Sequence, residues 1–191
     1  MWKFDRTFAI ILRYGIIVNG DTPVERQHEQ IYIIGNYFMA EKFKYQKATI
    51  ADLESRWDKN ITNNIGDERW VAWKSIAIEN HIKNKCIAFV VLHGEEPIGE
   101  GTLIPTMQCV EINGLRIDKQ YEGYGHISKL VKIMEQYAKD KGYKSAIIGV
   151  EPKETRNLAI YLHWGYTTFE KIEISTIKDD EGMILFYSKK L

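Results

Sequence analysis

The spacing of hydrophobic residues changes several times between residue 42 and the end of the chain, and each change marks a predicted element. Alternating or continuous apolar stretches predict strands, whereas apolar residues three and four positions apart predict helices. The run 145–150 is almost wholly apolar, which is typical of a central strand. Between residues 125 and 141 the apolar residues instead fall on one face of a helix. The predicted strands are 42–47, 86–92, 98–104, 109–117, 145–150, 166–174 and 183–189, and the predicted helices are 49–59, 68–85, 125–141 and 155–164.

Residues at the ends of these segments support their boundaries. Thr49 precedes a helix and Asp52 follows it three positions later, the pattern of a capping box. Gly142 follows the helix 125–141 as a C-cap does, and turn residues at 93–97 and 179–182 each separate two strands. The order β-α-α-β-β-β-α-β-α-β-β predicts an α/β (α+β) fold, a mixed sheet with helices on both faces.

The first 38 residues are read as a separate segment. Residues 7–18 suit a strand or a short buried helix, turn residues follow, and 24–38 suit a helix. We therefore divide the chain into an N-terminal extension, 1–38, and a domain, 39–191, with Met39 as an alternative start. The apolar stretch 7–18 contains Arg13 and is shorter than the roughly 20 residues that span a bilayer. No secretory cleavage pattern follows it, which predicts a cytoplasmic protein.

Composition narrows the classes of function. Lys and Arg number 26, as do Asp and Glu, so the net charge is zero and gives no electrostatic case for nucleic acid or an anionic membrane as a partner. The two cysteines, Cys86 and Cys109, lie in apolar runs and are expected to be buried free thiols. No Cys/His cluster with metal-ligand spacing occurs, so no metal is expected.

A glycine-bearing loop between the predicted strand 109–117 and the helix that starts near Gly125 is the candidate for chemistry. The first amides of a helix lack internal partners and carry partial positive charge, so this junction can bind an anion. Gly123 and Gly125 allow the backbone to approach a phosphate, and Ser128 adds a hydroxyl donor. The pattern is neither a P-loop nor the dinucleotide-binding glycine motif, because Ser128 stands where the last glycine of the latter belongs. Taken alone, such a loop is also typical of a connection between a strand and a helix that has no functional role.

The motif Gln120-Tyr121-Glu122-Gly123-Tyr124-Gly125 resembles the Q/R-x-x-G-x-G/A motif of the GNAT acetyltransferases. Leu115-Arg116-Ile117 is similar to the end of the family's fourth strand, and Tyr161 with Gly165-Tyr166 is similar to its last helix. The resemblance covers roughly residues 42–190. A second register, which aligns Glu122 with the family's Arg/Gln and Gly125 with its first glycine, is also open and places Ile127 where Gly or Ala is usual.

The resemblance implies a largely antiparallel sheet, splayed between its fourth and fifth strands, that binds acetyl-CoA as acetyl donor. In such proteins the pantetheine arm lies in the splay, and backbone amides hold the pyrophosphate. The implied pantetheine contacts are Leu115, Arg116 and Ile117. The implied pyrophosphate contacts are Gly123, Tyr124, Gly125, His126, Ile127 and Ser128, with Asn157 as a further coenzyme contact.

The resemblance also implies transfer of the acetyl group to a primary amine of a small molecule or peptide by direct attack in a ternary complex. Tyr161 occupies the family's general-acid position. Glu111 is the candidate base, Glu100 is an alternative, and many relatives use a water chain without a dedicated base. A non-catalytic acyl-CoA-binding module is the alternative function.

The acceptor is expected over the first two helices, where aromatic and acidic side chains would suit a cationic amine. The candidates for that environment are Trp57, Trp70, Trp73, Asp67 and Glu68. A purely structural interpretation is favoured for them, because the tryptophans have helical spacing and the acids lie near a helix N-terminus. Relatives that form homodimers use the sheet edge or the last strands, and 183–187 is the candidate strand for such an interface.

Overall fold

The computed structural model describes residues 43–174 and 182–191. The predictions for residues 1–42, and the turn at 179–181, lie outside the described residues. The helices are α1 (Ile50–Asn63), α2 (Arg69–Ile82), α3 (His126–Asp140) and α4 (Thr155–His163). The strands are β1 (Phe43–Lys47), β2 (Ile87–His93), β3 (Glu96–Pro105), β4 (Val110–Ile117), β5 (Ser145–Val150), β6 (Thr168–Ile174) and β7 (Met183–Lys190).

The seven strands form one sheet in the order β1-β2-β3-β4-β5-β7-β6. Every neighbouring pair is antiparallel except β4 and β5, which are parallel and joined by the crossover through α3. The predicted mixed, largely antiparallel sheet with helices on both faces is confirmed. No helix within the described ranges is long and apolar enough to cross a membrane.

Alternate residues of the central strands supply two cores, one on each face of the sheet. On one face Phe89 and Val91 pack with Leu130 and Met134 of α3, and Tyr161 of α4 joins the same cluster. On the other face the intervening residues of β2 pack with Leu53 and Trp57 of α1 and with the tryptophans of α2. The helices are therefore divided between the faces, with α3 and α4 on one side and α1 and α2 on the other.

Residues 183–187 lie in an inner strand of the sheet. They belong to β7, which pairs with β5 on one side and with β6 on the other. A homodimer interface that uses this strand stays a prediction. Among the strands that the structure describes, β6 is the outermost on this side of the sheet, and its exposed residues include Glu170, Lys171 and Glu173.

Two predictions need correction. Helix α1 continues to Asn63 rather than ending near residue 59, so part of the expected loop is helical. Cys86 and Cys109 are free but only half-buried, because each lies one residue before its strand and not inside it. Burial raises the pKa of the Cys86 thiol.

Candidate active site

The site begins where β4 parts from β5. The two strands pair at only three positions, Val110 to Ile112 against Ala146 to Ile148. On its other side, β4 pairs with β3 from Val110 to Ile117. Gly101 of β3 lies opposite two residues of β4, because Glu100 pairs with Arg116 while Thr102 pairs with Asn113. Gly114, with φ +63°, supplies the left-handed conformation in this bulge. The expected splay between the fourth and fifth strands is confirmed.

A cavity of about 680 Å³ opens beside the splay. Its walls are the end of β4, the loop that follows, the first turn of α3, the inner side of α4 and the C-terminal part of α1. Most of the predicted site residues line it: Leu115, Arg116, Ile117, Gly123, Gly125, His126, Ile127, Ser128, Asn157 and Tyr161. The cavity therefore brings together residues that are up to 46 positions apart, from Leu115 to Tyr161, in one space.

The glycine loop places backbone amides that precede the helical hydrogen bonds of α3 at this cavity. Gly123 and Gly125 both have φ +79°, and no atom lies within 4 Å of where a side chain would start, so conformation and not crowding requires glycine. Gly125 caps α3, and the first helical hydrogen bond runs from the Lys129 amide to the Gly125 carbonyl at 3.0 Å. The amides of the three residues between them thus precede the helical ladder at the positive end of the dipole. Such a geometry binds a phosphate group.

The start of α3 also bears on the two motif registers. The helix begins at His126, immediately after Gly125, as the register that places Gly125 first requires. The side chain of Ile127 packs against the core below α3, so a bulky residue there leaves the backbone open to the cavity. Tyr124, in contrast, is 77% exposed and does not line the cavity, so only its backbone remains a candidate contact.

A cluster of aromatic rings and histidines supports the loop from the β1 side. The Tyr45 hydroxyl lies 2.7 Å from Nδ1 of His126, and the Tyr121 hydroxyl lies 2.8 Å from Nδ1 of His93. Phe43 stacks on His93 and contacts His126, with ring centroids 4.9 and 4.4 Å apart. Burial, then the charge of Lys129, then that of His93, lower the pKa of His126. The start of α3 is therefore connected to β1 by a hydrogen bond, and the loop before it to β2 by another, with ring packing around both.

A second, smaller cavity of about 190 Å³ is lined by residues of β4, β5, α4 and β7. Glu111 and Tyr161 both line it, and Tyr161 and Leu115 also line the larger cavity. Burial raises the pKa of Glu111, Glu173 adds to the rise, and a hydrogen bond from Asn113 Nδ2 at 2.8 Å opposes it. Burial, helped by the charge of Glu154, also raises the pKa of Tyr161, which keeps its phenol protonated.

Asn157 sits on the third residue of α4, where its side chain amide donates to Glu154 at 3.2 Å. Asn157 also lines the larger cavity, and its side-chain carbonyl oxygen is a candidate acceptor. Its position agrees with both of the roles a polar residue at a helix start can have, capping and ligand contact.

The buried alternative base, Glu100, is held in an ion network. Its Oε1 accepts hydrogen bonds from Asn60 at 2.8 Å and Arg116 at 3.2 Å, and Arg56 Nε lies 3.6 Å away. Arg56 also pairs with Asp118, whose other oxygen is 2.5 Å from Lys59 Nζ. Oε1 of Glu100 thus has two hydrogen-bond donors and one ion-pair partner, which places this carboxylate in a structural network.

The residues considered for a cationic-amine environment over α1 and α2 are spread over different surroundings. Of its five candidate residues only Trp70 lines the larger cavity. Trp57 is buried in the core, and Asp67 pairs with Arg69. The rings of Trp57 and Trp70 already face a cation, the guanidinium of Arg116, at 5.8 and 5.1 Å.

Several cavity residues were missed at the sequence level, among them Arg56, Asn60, Asn63, Asn64, Asp118 and Arg156. A signal for two of them exists, since Arg56 and Asn60 follow Leu53 at spacings of three and seven and so lie on the buried face of α1. Polar residues on the apolar face of an amphipathic helix indicate a buried network or a site.

Comparison with known proteins agrees with this architecture. Residues 50–166 match the model of the Acetyltransferase (GNAT) family. This match covers more than half of the chain, and the chain belongs to that family. No curated protein matches the sequence.

Solved structures share the fold at low sequence identity. The PaiA N-acetyltransferase of Thermoplasma acidophilum, in complex with coenzyme A, aligns with a TM-score of 0.55 and 18% identity over 78% of this chain and 99% of its own. An acetyltransferase of Salmonella typhimurium that modifies the N-terminal serine of ribosomal protein L7/L12 aligns with a TM-score of 0.62 and 13% identity over 78% and 95%. A GNAT acetyltransferase of Elizabethkingia anophelis with acetyl-CoA bound aligns at 0.56 and 18% over 79% and 99%.

Proposed function

We propose that this protein transfers an acetyl group from acetyl-CoA to a primary amine of a small molecule or peptide, by direct attack in a ternary complex. The observation that carries this proposal is the single cavity that joins the splayed end of β4, the free amides of α3 and the hydroxyl-bearing Tyr161. Membership of the GNAT family supports the acetyltransferase class.

The residues present fit acetyl-CoA. Two glycines with φ +79° and the amides of His126, Ile127 and Ser128 form a cradle for the pyrophosphate, with open space above it. Leu115, Arg116 and Ile117 lie at the cavity wall where β4 has left β5, so their backbone is available to the pantetheine arm. Asn157 adds a polar contact from α4. When bound, acetyl-CoA supplies the acetyl group and a thiolate leaving group.

Side chains on the two faces of the sheet carry out the proton transfers. Glu111 reaches the gap from the α1–α2 side, and its carboxylate accepts a proton from the amine, directly or through water. Tyr161 reaches it from the α4 side, and its hydroxyl donates a proton to the departing sulfur. A backbone amide near Leu115 is placed to polarise the acetyl carbonyl.

Residues 39–191 are the proposed acetyltransferase domain, and 1–38 the proposed extension. In support, the sheet and every residue with a proposed role lie between Phe43 and Leu191. A chain that starts at Met39 should bind acetyl-CoA with the affinity of the full chain, which isothermal calorimetry measures. Loss of binding would instead make 1–38 part of the domain.

The test of acetyl transfer is release of free thiol from acetyl-CoA over a panel of amino acids, peptides, polyamines and aminoglycosides. The wild type should release thiol with at least one class of amine, with the acetylated amine confirmed by mass spectrometry. Tyr161→Phe should lower kcat by about 10²- to 10⁴-fold, the usual contribution of a positioned acid. Its affinity for acetyl-CoA should stay within about twofold, because the ring that lines the cavity remains.

The control is Tyr143→Phe, which removes a hydroxyl from a residue that packs on the same core but lines neither cavity. It should keep the wild-type kcat. Acetyl-CoA binding without turnover of any amine would contradict the enzyme and favour an acyl-CoA-binding module. An unchanged kcat in Tyr161→Phe would contradict the role of Tyr161 alone.

A further inference from the structure

Resting on the proposed acetyl transfer, we propose that the acceptor amine carries a carboxylate, that the side chain of Arg116 binds this carboxylate, and that polycationic amines are poor acceptors. The acceptor class thus includes amino acids and peptides whose free acid lies near the reacting amine. Arg116 is the proposed specificity residue, through its side chain and independently of its backbone.

The larger cavity extends beyond the glycine loop and the splayed end of β4. Part of its remaining wall, which we call the acceptor wall, is formed by Asn60, Asn63, Asn64, Trp70 and the Arg116 side chain; charged residues that line the cavity elsewhere include Asp118, Lys119, Glu122 and Arg156. The neighbours of Arg116 on β4 are Leu115 and Ile117, which face the opposite core. Alternation along the strand therefore points Arg116 toward α1 and α2, away from the helix amides.

Arg116 is held firmly but remains accessible. Glu100 fixes one Nη at 3.2 Å, and the Trp70 and Trp57 rings lie 5.1 and 5.8 Å from the guanidinium carbon. Its side chain is nevertheless 38% exposed, whereas that of Glu100 is 7% exposed. A guanidinium held in this way loses little conformational freedom when its remaining N–H groups bind a ligand.

The acids beneath the acceptor wall are already neutralised. Glu100 is shared by Arg56 and Arg116, and Asp118 by Arg56 and Lys59, so three cations face these two carboxylates. The third carboxylate, Glu96, contacts Lys59 at 2.6 Å and is 57% exposed outside the acceptor wall. What the described part of this wall offers to a ligand is accordingly a guanidinium and three amides.

This chemistry selects for an anion. Arginine binds a planar carboxylate through parallel N–H groups, and asparagine amides add donors beside it. A polyamine or aminoglycoside would bring several positive charges toward Arg116 and find the tryptophan faces already covered by that guanidinium. Because Arg116 adjoins Leu115, a carboxylate bound there leaves the amine of a small molecule within reach of the splay.

The experiment compares matched acceptors that differ only in the carboxylate. Each α-amino acid or dipeptide is paired with its carboxamide, and spermidine serves as a polycation. The wild type should show kcat/KM at least about 10-fold higher for the acids than for the carboxamides, with spermidine the poorest, as expected for loss of one charged hydrogen-bonded contact.

Arg116→Met should abolish this preference by raising KM for the acids, and Arg116→Lys should keep part of it. Acetyl-CoA affinity should stay close to wild type in each folded variant, whereas the melting temperature of Arg116→Met should fall because the buried Glu100 loses one partner. Arg69→Met is the matched control, because Arg69 also lies over a tryptophan, Trp73 at 5.7 Å, but outside both cavities. It should retain the full preference.

Equal rates for acids and carboxamides, or a preference for spermidine, would overturn this inference and leave acetyl transfer standing. A loss of acetyl-CoA affinity in a folded Arg116→Met protein would also overturn it, since Arg116 would then serve the coenzyme. Absence of turnover with every amine, despite acetyl-CoA binding, would remove both this inference and the proposed function.

Discussion

At the scale of the residue, Glu111 illustrates how its surroundings alter the chemistry of one carboxylate. It lies on a strand between the buried Val110 and Ile112, and burial raises its pKa more than any neighbouring charge does. A carboxyl group must be deprotonated to act as a base, and when its pKa is raised it loses its proton only at higher pH. The enzyme should therefore lose activity on the acidic side above the usual range for glutamate.

The pH dependence of kcat/KM tests this role. In the wild type the rate should fall as pH drops through the raised pKa of Glu111. Glu111→Gln should lower the rate at neutral pH by about 10²- to 10⁴-fold and remove that acidic limb. The exposed Glu54→Gln should leave the profile unchanged. An acidic limb that persists in Glu111→Gln would assign the base to another group or to water.

Single residues also show what the sequence could and could not reveal. Tyr161 and the two loop glycines could be placed at the cavity because they belong to local motifs. Arg116 was assigned only from the resemblance of Leu115-Arg116-Ile117 to the family's fourth strand, without a role for its side chain. Its contacts with Trp57, Trp70 and Glu100 join positions 59, 46 and 16 residues away, which no local pattern encodes.

At the scale of the element, α1 was predicted well at its start and less well at its end. The capping box is present as expected, with Thr49 Oγ1 3.1 Å from the Asp52 amide and Asp52 Oδ2 2.9 Å from the Thr49 amide. The C-terminal turn lacks such a signal, and tertiary contacts decide it. Asn60 is buried against Glu100 there, which carries the helix past residue 59.

The start of α3 depends on the aromatic cluster for its position. Tyr45→Phe removes the hydroxyl that lies 2.7 Å from His126 Nδ1 but keeps the ring. The helix start should then be less well ordered and bind acetyl-CoA more weakly, by about 5- to 10-fold for one lost hydrogen bond. Isothermal calorimetry measures the change, and kcat at saturating acetyl-CoA should remain within about twofold.

Tyr137→Phe is the control for this prediction, because Tyr137 lies on α3 near its opposite end. Its affinity for acetyl-CoA should equal that of the wild type. If Tyr45→Phe also keeps full affinity, the cluster contributes packing only and does not position the phosphate loop.

At the scale of the whole molecule, the order of elements was predictable, whereas the order of strands was not. Periodicity and turn residues mark where each element lies in the chain. They do not show that β7 enters the sheet between β5 and β6, nor that β4 and β5 pair at three positions only. Those features depend on pairing between distant segments and on the bulge at Gly114.

The short β4–β5 pairing makes the sheet sensitive to its ligand. Saturating acetyl-CoA should slow amide hydrogen exchange in residues 113–117 and in the first turn of α3, and leave β1 and β2 unchanged. At a hundredfold excess over Kd, it should also stabilise the protein by about 2.7 kcal/mol. Gly125→Val, which forces a branched residue to φ +79°, should lose both effects. Protection confined to other segments would place the coenzyme elsewhere.

The exposed outer strand, β6, has a further consequence for how the protein behaves when it is concentrated. An open strand edge can recruit the edge of another molecule and start aggregation. On β6 the apolar Phe169, Ile172 and Ile174 are interrupted by Glu170, Lys171 and Glu173. These charged residues interrupt the apolar run and oppose association with the edge of another molecule. A protein whose net charge is zero gains little general repulsion between molecules, so its colloidal stability depends on where along this strand the charges lie.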